Sequence, residues 1–201
     1  MNFTLMTLPI RQSPDVYIPI GAIHIAQSLR DAGHMVNMLN QDFHRYSDEV
    51  FIQQIRERTP AVIGISAVVS TAYKAIKHYS ALIKKYFPYI QIILGGAASV
   101  SAEIILRYCN VDIIVIGEGE NTIVELLSKF DQNKHEIPRE VLSDIRGVAY
   151  LENKCFKFNG FREQISPLDI VPMPDFSFLE DHFSHFLVDP LKCEEFLCDP
   201  R

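Results

Sequence analysis

The chain has 201 residues, 48% of them hydrophobic and 22% charged, with a net charge of −6. That apolar content is enough for one globular domain, alone or with an extension, and argues against disorder. An acidic balance without a basic run argues against nucleic acid as a partner, and no apolar run reaches the ~20 residues of a membrane helix.

The opening "MNFTLMTLPIRQ" has neither a basic leader nor a long apolar stretch, so it predicts a first strand over residues 2–8 rather than a signal peptide. Residues 20–34 carry Ile20, Ile23, Ile25, Ala26 and Leu29 at helical spacing and stop at Gly33. A second strand follows at 35–40. Ser47 then caps a predicted helix over 47–60, with Asp48 and Glu49 at the positive end of its dipole and Pro60 closing it.

"AVIGISAVV" (61–69) is apolar nearly throughout, as a strand buried on both faces requires. An amphipathic helix is predicted over 71–88, with lysines on its wet face. Buried strands at 90–96 and 111–119 flank a short helix at 101–109, and a further helix spans 121–130. Five strands alternating with five helices predict right-handed crossovers and a parallel sheet covered on both faces. The expected architecture is α/β, a doubly wound five-stranded sheet over residues 1–132, with the flavodoxin-like order 2-1-3-4-5 taken by analogy and not from periodicity.

Residues 133–201 differ in texture. "DQNKHEIPREVLSD" is polar. A hairpin is predicted from Gly147–Leu151 and Cys155–Phe158 around a turn at Glu152, Asn153 and Lys154. "ISPLDIVPMPDFSFL" is proline-rich and is expected to be an extended linker. Cys109, Cys155, Cys193 and Cys198 are too scattered for a disulfide scaffold, which suggests a reducing, cytoplasmic setting.

Ligands of doubly wound folds lie beyond the carboxyl ends of the strands. Pro19 and Gly21 close the long loop after strand one. Ser66, Ser70 and Thr71 follow strand three, and Gly95, Gly96 and Ala97 follow strand four. Gly117, Glu118, Gly119 and Glu120 follow strand five. Small residues at three strand ends on one rim let backbone approach a large ligand, and the hydroxyls can donate to it. Each position alone is ordinary turn or cap chemistry.

Other ligand chemistries of this fold do not match. A receiver domain needs an aspartate where Ser66 stands. The loop after strand one is neither a flavodoxin phosphate loop nor a G-x-G-x-x-G dinucleotide turn, and no P-loop occurs. No nucleophile–base arrangement is legible. Glu118 and Glu120, two residues apart in a turn, diverge and do not make an acid–base pair. No catalytic or metal-ligating residue is assigned.

In order, "IPIGAIHIAQSLRDAGHMVNMLNQD", "VIGISAVVSTAYKAIKHYSALIKKYFP", "IILGGAASV", "VDIIVIGEGENTIVELL", the hairpin and "LDIVPMPDF" resemble the cobalamin (B12)-binding domain at the N-terminus of B12-dependent radical SAM proteins. The resemblance covers about residues 1–180. It implies cobalamin lying across the strand ends, its nucleotide tail between sheet and helices. Ser66 and Thr71 would contact that tail, Gly95 and Gly96 would line its slot, and residues 117–119 would border the corrin. Residues 13–21 would cover one face of the ring, and Glu118 would meet its amide fringe. Such domains serve methyl transfer or related radical chemistry.

Two features depart from that pattern. Asp42-Phe43-His44 contains D-x-H, but after the second strand and with Ser47 in place of glycine, so it reads as coincidence and His44 as a solvated loop residue. His24 reads as a packed or partly buried helix residue rather than a ligand. A radical SAM barrel would open with C-x-x-x-C-x-x-C, whereas Cys193 and Cys198 supply two thiols at another spacing. The expectation is a cobalamin module that is not itself a catalyst, either a fragment leading toward a missing barrel or a split relative. Its radical SAM partner would act in cis or in trans, and SAM and a [4Fe–4S] cluster would enter only with that barrel. The rival expectation is a degenerate domain of this fold, without cofactor, acting in protein interaction.

Overall fold

A computed structural model describes residues 1–9, 18–130, 136–167 and 171–179. Its elements run β1 (Asn2–Thr7), α1 (Ile20–Asp31), β2 (Met35–Asn40), α2 (Gln41–His44), α3 (Asp48–Arg58), β3 (Val62–Ser66), α4 (Tyr73–Tyr86) and β4 (Gln91–Gly95). They continue with α5 (Ala102–Tyr108), β5 (Ile113–Val115), α6 (Glu120–Ser128), α7 (Arg139–Leu142), β6 (Val148–Glu152) and β7 (Cys155–Phe158). Short 3-10 turns at Ser70–Ala72 and Ala97–Ser101 precede α4 and α5.

Strands β2, β1, β3, β4 and β5 are parallel and neighbours in that order. The 2-1-3-4-5 order expected by analogy with the flavodoxin-like fold is therefore the observed one. The strand count differs. β6 pairs antiparallel with β5, and β7 with β6, so among the described residues the sheet has seven strands rather than five. Val148, Ala149 and Tyr150 are buried, so the hairpin covers the apolar edge that β5 would otherwise expose.

Strand alternation splits the core into two layers. Met6, Ile63, Ile65, Ile92, Leu94 and Ile114 face α3, α4 and α5. Phe3, Leu5, Val62, Ile93, Ile113 and Val115 face α1 and α6. Local signals set several ends. Ser47 accepts from the Val50 amide, as its N-cap position predicts. Gly33, at φ +84°, ends α1 with His34 N–H donating to Leu29 O at 3.0 Å, a Schellman closure. Helix α6 starts at Glu120 after Gly119 without a side-chain cap, so Asn121 does not begin it.

Residues 136–167 and 171–179 also differ from the expected polar stretch and linker. Ile137, Leu142 and Ile145 are buried in the α1/α6 layer, and Ile137 N–H donates to Gln91 Oε1 at 2.9 Å. Leu179 is only 4% exposed, and Phe176 and Phe178 pack on the same layer. Arg30 holds this segment by an ion pair to Asp175 at 2.7 Å and by stacking over Phe178 at 4.6 Å. Residues 10–17, 131–135, 168–170 and 180–201 lie outside the description, and with them Cys193, Cys198 and most of the loop expected to cover the ring.

Candidate functional site

Parallel register places residues of different strands in rows on the α1/α6 face. Leu5, Gly64, Ile93 and Ile113 form one row, and Thr7, Ser66 and Gly95 form the next row toward the rim. Two glycines shape the space above these rows. A Cβ on Gly64 would lie 2.6 Å from Phe3 Cζ and 2.9 Å from Leu5 Cδ1, so those two side chains lean across it and form a floor. A Cβ on Gly95 would meet nothing closer than 4.0 Å. The space left open is a cavity of about 220 Å³ between the sheet, Ala22 and Ile25 of α1, and Ile123 of α6. Most of its lining is aliphatic, aromatic or glycine, with Ser66, Glu118 and Glu120 as its polar side chains.

The cavity gathers seven of the eleven residues picked from the sequence: Gly21, Ser66, Gly95, Gly96, Gly117, Glu118 and Glu118's neighbour Gly119. Pro19, with Gly21 and Ser66, lines an adjoining cavity of about 200 Å³ beside Thr7, Asn40 and Asp42. Ser70 starts the 3-10 turn before α4. Thr71 and Ala97 are exposed and line neither cavity.

The glycines differ in what they do. Gly96 has φ +93°, and a Cβ there would lie 2.6 Å from Ala67 O, so the crossing of two chain segments demands it. A Cβ on Gly119 would lie 2.8 Å from Ile25 Cδ1, so its absence lets α1 and α6 close together. Gly117 has φ +90° and open surroundings, which is turn chemistry. Gly95 alone of the Gly95–Gly96 pair opens into the cavity.

Glu118, without a structural role in the sequence, has one in the fold. Its carboxylate accepts a hydrogen bond from Ile165 N–H at 2.5 Å, while Arg162 pairs with Glu125 on α6. The segment after the hairpin is thereby fastened across α6, and it roofs a third cavity of about 320 Å³ lined by His24, Glu118, Glu120, Ile165 and Val171–Pro174. His24 is therefore a half-buried cavity residue. His44 is not a solvated loop residue: it ends α2 and stacks on Tyr46 at 4.8 Å. Among the described residues no group of three or more His, Cys, Asp or Glu could hold a metal, and no helix is long and apolar enough to cross a membrane.

The electrostatics set the segment's attachment apart from the cavity itself. Hydrogen bonds from the Ser177 hydroxyl and backbone N–H, joined by the Arg30 guanidinium, hold the Asp175 carboxyl down at about 2. Burial pushes the Cys109 thiol up, away from thiolate chemistry. Sequence reasoning missed the walls Phe3, Leu5, Ile25, Val115 and Ile123, and the mid-strand Gly64. Gly64 did carry a signal, because a lone glycine inside a strand marks a close approach by another group.

A model of the B12 binding domain matches residues 6–127 of the chain. The anaerobic magnesium-protoporphyrin IX monomethyl ester cyclase of Synechocystis sp. is 25% identical over 146 residues, 71% of this chain and 27% of its own length. The cytidylyl-2-hydroxyethylphosphonate methyltransferase of Streptomyces wedmorensis is 25% identical over 155 residues, 68% of this chain and 28% of its own length. The chain thus spans about a quarter of the length of the curated relatives it matches. The cobalamin-dependent S-adenosylmethionine radical enzyme OxsB, solved with aqua-cobalamin and S-adenosylmethionine bound, shares the fold at a TM-score of 0.73. That likeness covers 92% of this chain and 25% of OxsB, at 22% identity.

Proposed function

This chain belongs to the B12-binding domain family, and we propose that it holds cobalamin with the nucleotide tail in the cavity beside Gly95 and the corrin over the rim formed by Ser66, Gly95 and Gly117. The observation that carries this assignment is the open Cβ position of Gly95 above the Phe3–Leu5 floor. A dry cavity of about 150 Å³ takes a single benzene ring. A cavity of about 220 Å³ with apolar walls therefore suits a two-ring base such as the tail's dimethylbenzimidazole.

The chain's own residues do three things in this arrangement. Phe3, Leu5, Val115 and Ile123 exclude water from the base. Ser66 can donate a hydrogen bond from the lining. Ile25, fitted against Gly119, holds the helix pair at the separation that the slot requires. When bound, cobalamin supplies a cobalt centre able to carry a methyl group. The relatives support a setting in which a radical SAM barrel, in the same protein or in a partner, uses that cofactor, and SAM and a [4Fe–4S] cluster would belong to that barrel.

The test is direct. Purified protein mixed with hydroxocobalamin should keep the red corrin absorbance through gel filtration. A colourless protein peak would refute the assignment and favour a domain of this fold acting without a cofactor.

A further inference from the structure

Glu120 stands on the boundary between two cavities. It lines both the apolar slot beside Gly95 and the cavity roofed by Val171–Pro174. Its Oε2 atom is buried, and no hydrogen-bond partner reaches it among the described residues. The neighbouring Glu118 already accepts from Ile165 N–H, and His24 lines the same space without bonding to Glu120. The first position of α6 favours a negative charge through the helix dipole, which accounts for a carboxylate there. It does not account for a buried oxygen without a donor, which costs the full desolvation of that atom unless a donor arrives.

We propose that Glu120 is a further ligand-binding residue of the cobalamin site, accepting a hydrogen bond from a neutral donor on the cofactor. This rests on the function proposed above. The donor is uncharged because cobalamin carries no cationic side chain and its phosphodiester has no proton to donate. Cobalamin offers two such groups, the ribose hydroxyl of its nucleotide tail and the carboxamides fringing the corrin.

The experiment compares two corrinoids on the intact chain. Cobinamide keeps the carboxamides and lacks the nucleotide tail. Dissociation constants for hydroxocobalamin and for cobinamide are measured for wild type, Glu120→Ala and Glu120→Gln, with thermal melting of each. Glu120→Ala should bind hydroxocobalamin roughly tenfold or more weakly, as the loss of one charge-assisted hydrogen bond requires. Glu120→Gln, which keeps an acceptor oxygen, should lose less.

Weakening confined to hydroxocobalamin assigns the donor to the ribose. Equal weakening of both corrinoids assigns it to a carboxamide. Unchanged constants in Glu120→Ala overturn the proposal, whether or not its melting temperature falls, because the oxygen is then satisfied by solvent or serves the fold alone. A wild-type chain that retains no cobalamin overturns the function itself, an outcome read in the wild-type arm before any variant is compared.

Discussion

Gly95→Leu is the sharpest perturbation that the structure offers. The position has ordinary backbone geometry, and its Cβ vector points into open space, with the nearest atoms of Val115 at 4.0 Å. A leucine there extends into the apolar cavity and is itself buried, a change worth about 1.5–3 kcal/mol in favour of the fold if the side chain is fully covered. The same leucine occupies the place of the base. An aromatic group of that size buries about 200 Å², and at about 25 cal/mol per Å² the contribution lost is at most about 5 kcal/mol. Even half of that lowers affinity close to a hundredfold. Gel filtration with hydroxocobalamin reads the loss, and far-UV circular dichroism with thermal melting establishes that the variant is folded. A folded Gly95→Leu protein with wild-type affinity would refute the placement of the tail. Gly96 is no substitute for this test, because its positive φ and the Ala67 carbonyl make any side chain there a folding defect.

Three further outcomes follow from the same geometry. Gly64→Ala forces Phe3 and Leu5 off its Cβ position and should destabilise the fold by about 1–3 kcal/mol in urea titration, an unchanged midpoint contradicting the floor as described. In native protein at neutral pH, Cys155 is exposed and should alkylate readily, while Cys109, buried and with its thiol pushed up, should stay unmodified by mass spectrometry. The Asp175 carboxyl, depressed to about 2 in the folded chain from an ordinary 3.8, contributes to docking of the 171–179 segment above about pH 4. That contribution is lost as pH falls through about 2, so carboxyl NMR should find its midpoint there and Arg30→Ala should move it upward. A wild-type midpoint near 3.8 would contradict the Ser177 and Arg30 contacts.

Much of the fold is local information. Buried parallel strands read as apolar runs because helices cover both faces, so 61–69, 90–96 and 111–119 announced themselves without any partner in view, although the strands themselves are the shorter Val62–Ser66, Gln91–Gly95 and Ile113–Val115. The rim was legible for the same reason. Alternation and crossover handedness gave a parallel sheet covered on both faces, while the strand order came only by analogy with the flavodoxin-like fold. The hairpin's membership of the sheet was not legible. Val148–Glu152 pairs with Ile113–Val115 across more than thirty residues, and an antiparallel edge strand carries the same alternation as a free hairpin. Nor was the docking of residues 171–179, since prolines forbid regular structure without forbidding burial of Phe176, Phe178 and Leu179.

The sequence by itself determined the layered α/β architecture and a ring of small residues where a bulky ligand fits, because period and residue type are properties of neighbours along the chain. Tertiary structure decided what each of those residues is for. Gly95 and Gly96 are identical in the sequence, yet one opens onto a cavity and the other is pressed against Ala67 O. Glu118 and Glu120 are identical too, yet one accepts the Ile165 amide and the other keeps a buried oxygen without a donor. The physical reason is shared by both pairs. Whether a Cβ position is empty, or a carboxylate is satisfied, depends on groups brought there by packing from distant parts of the chain.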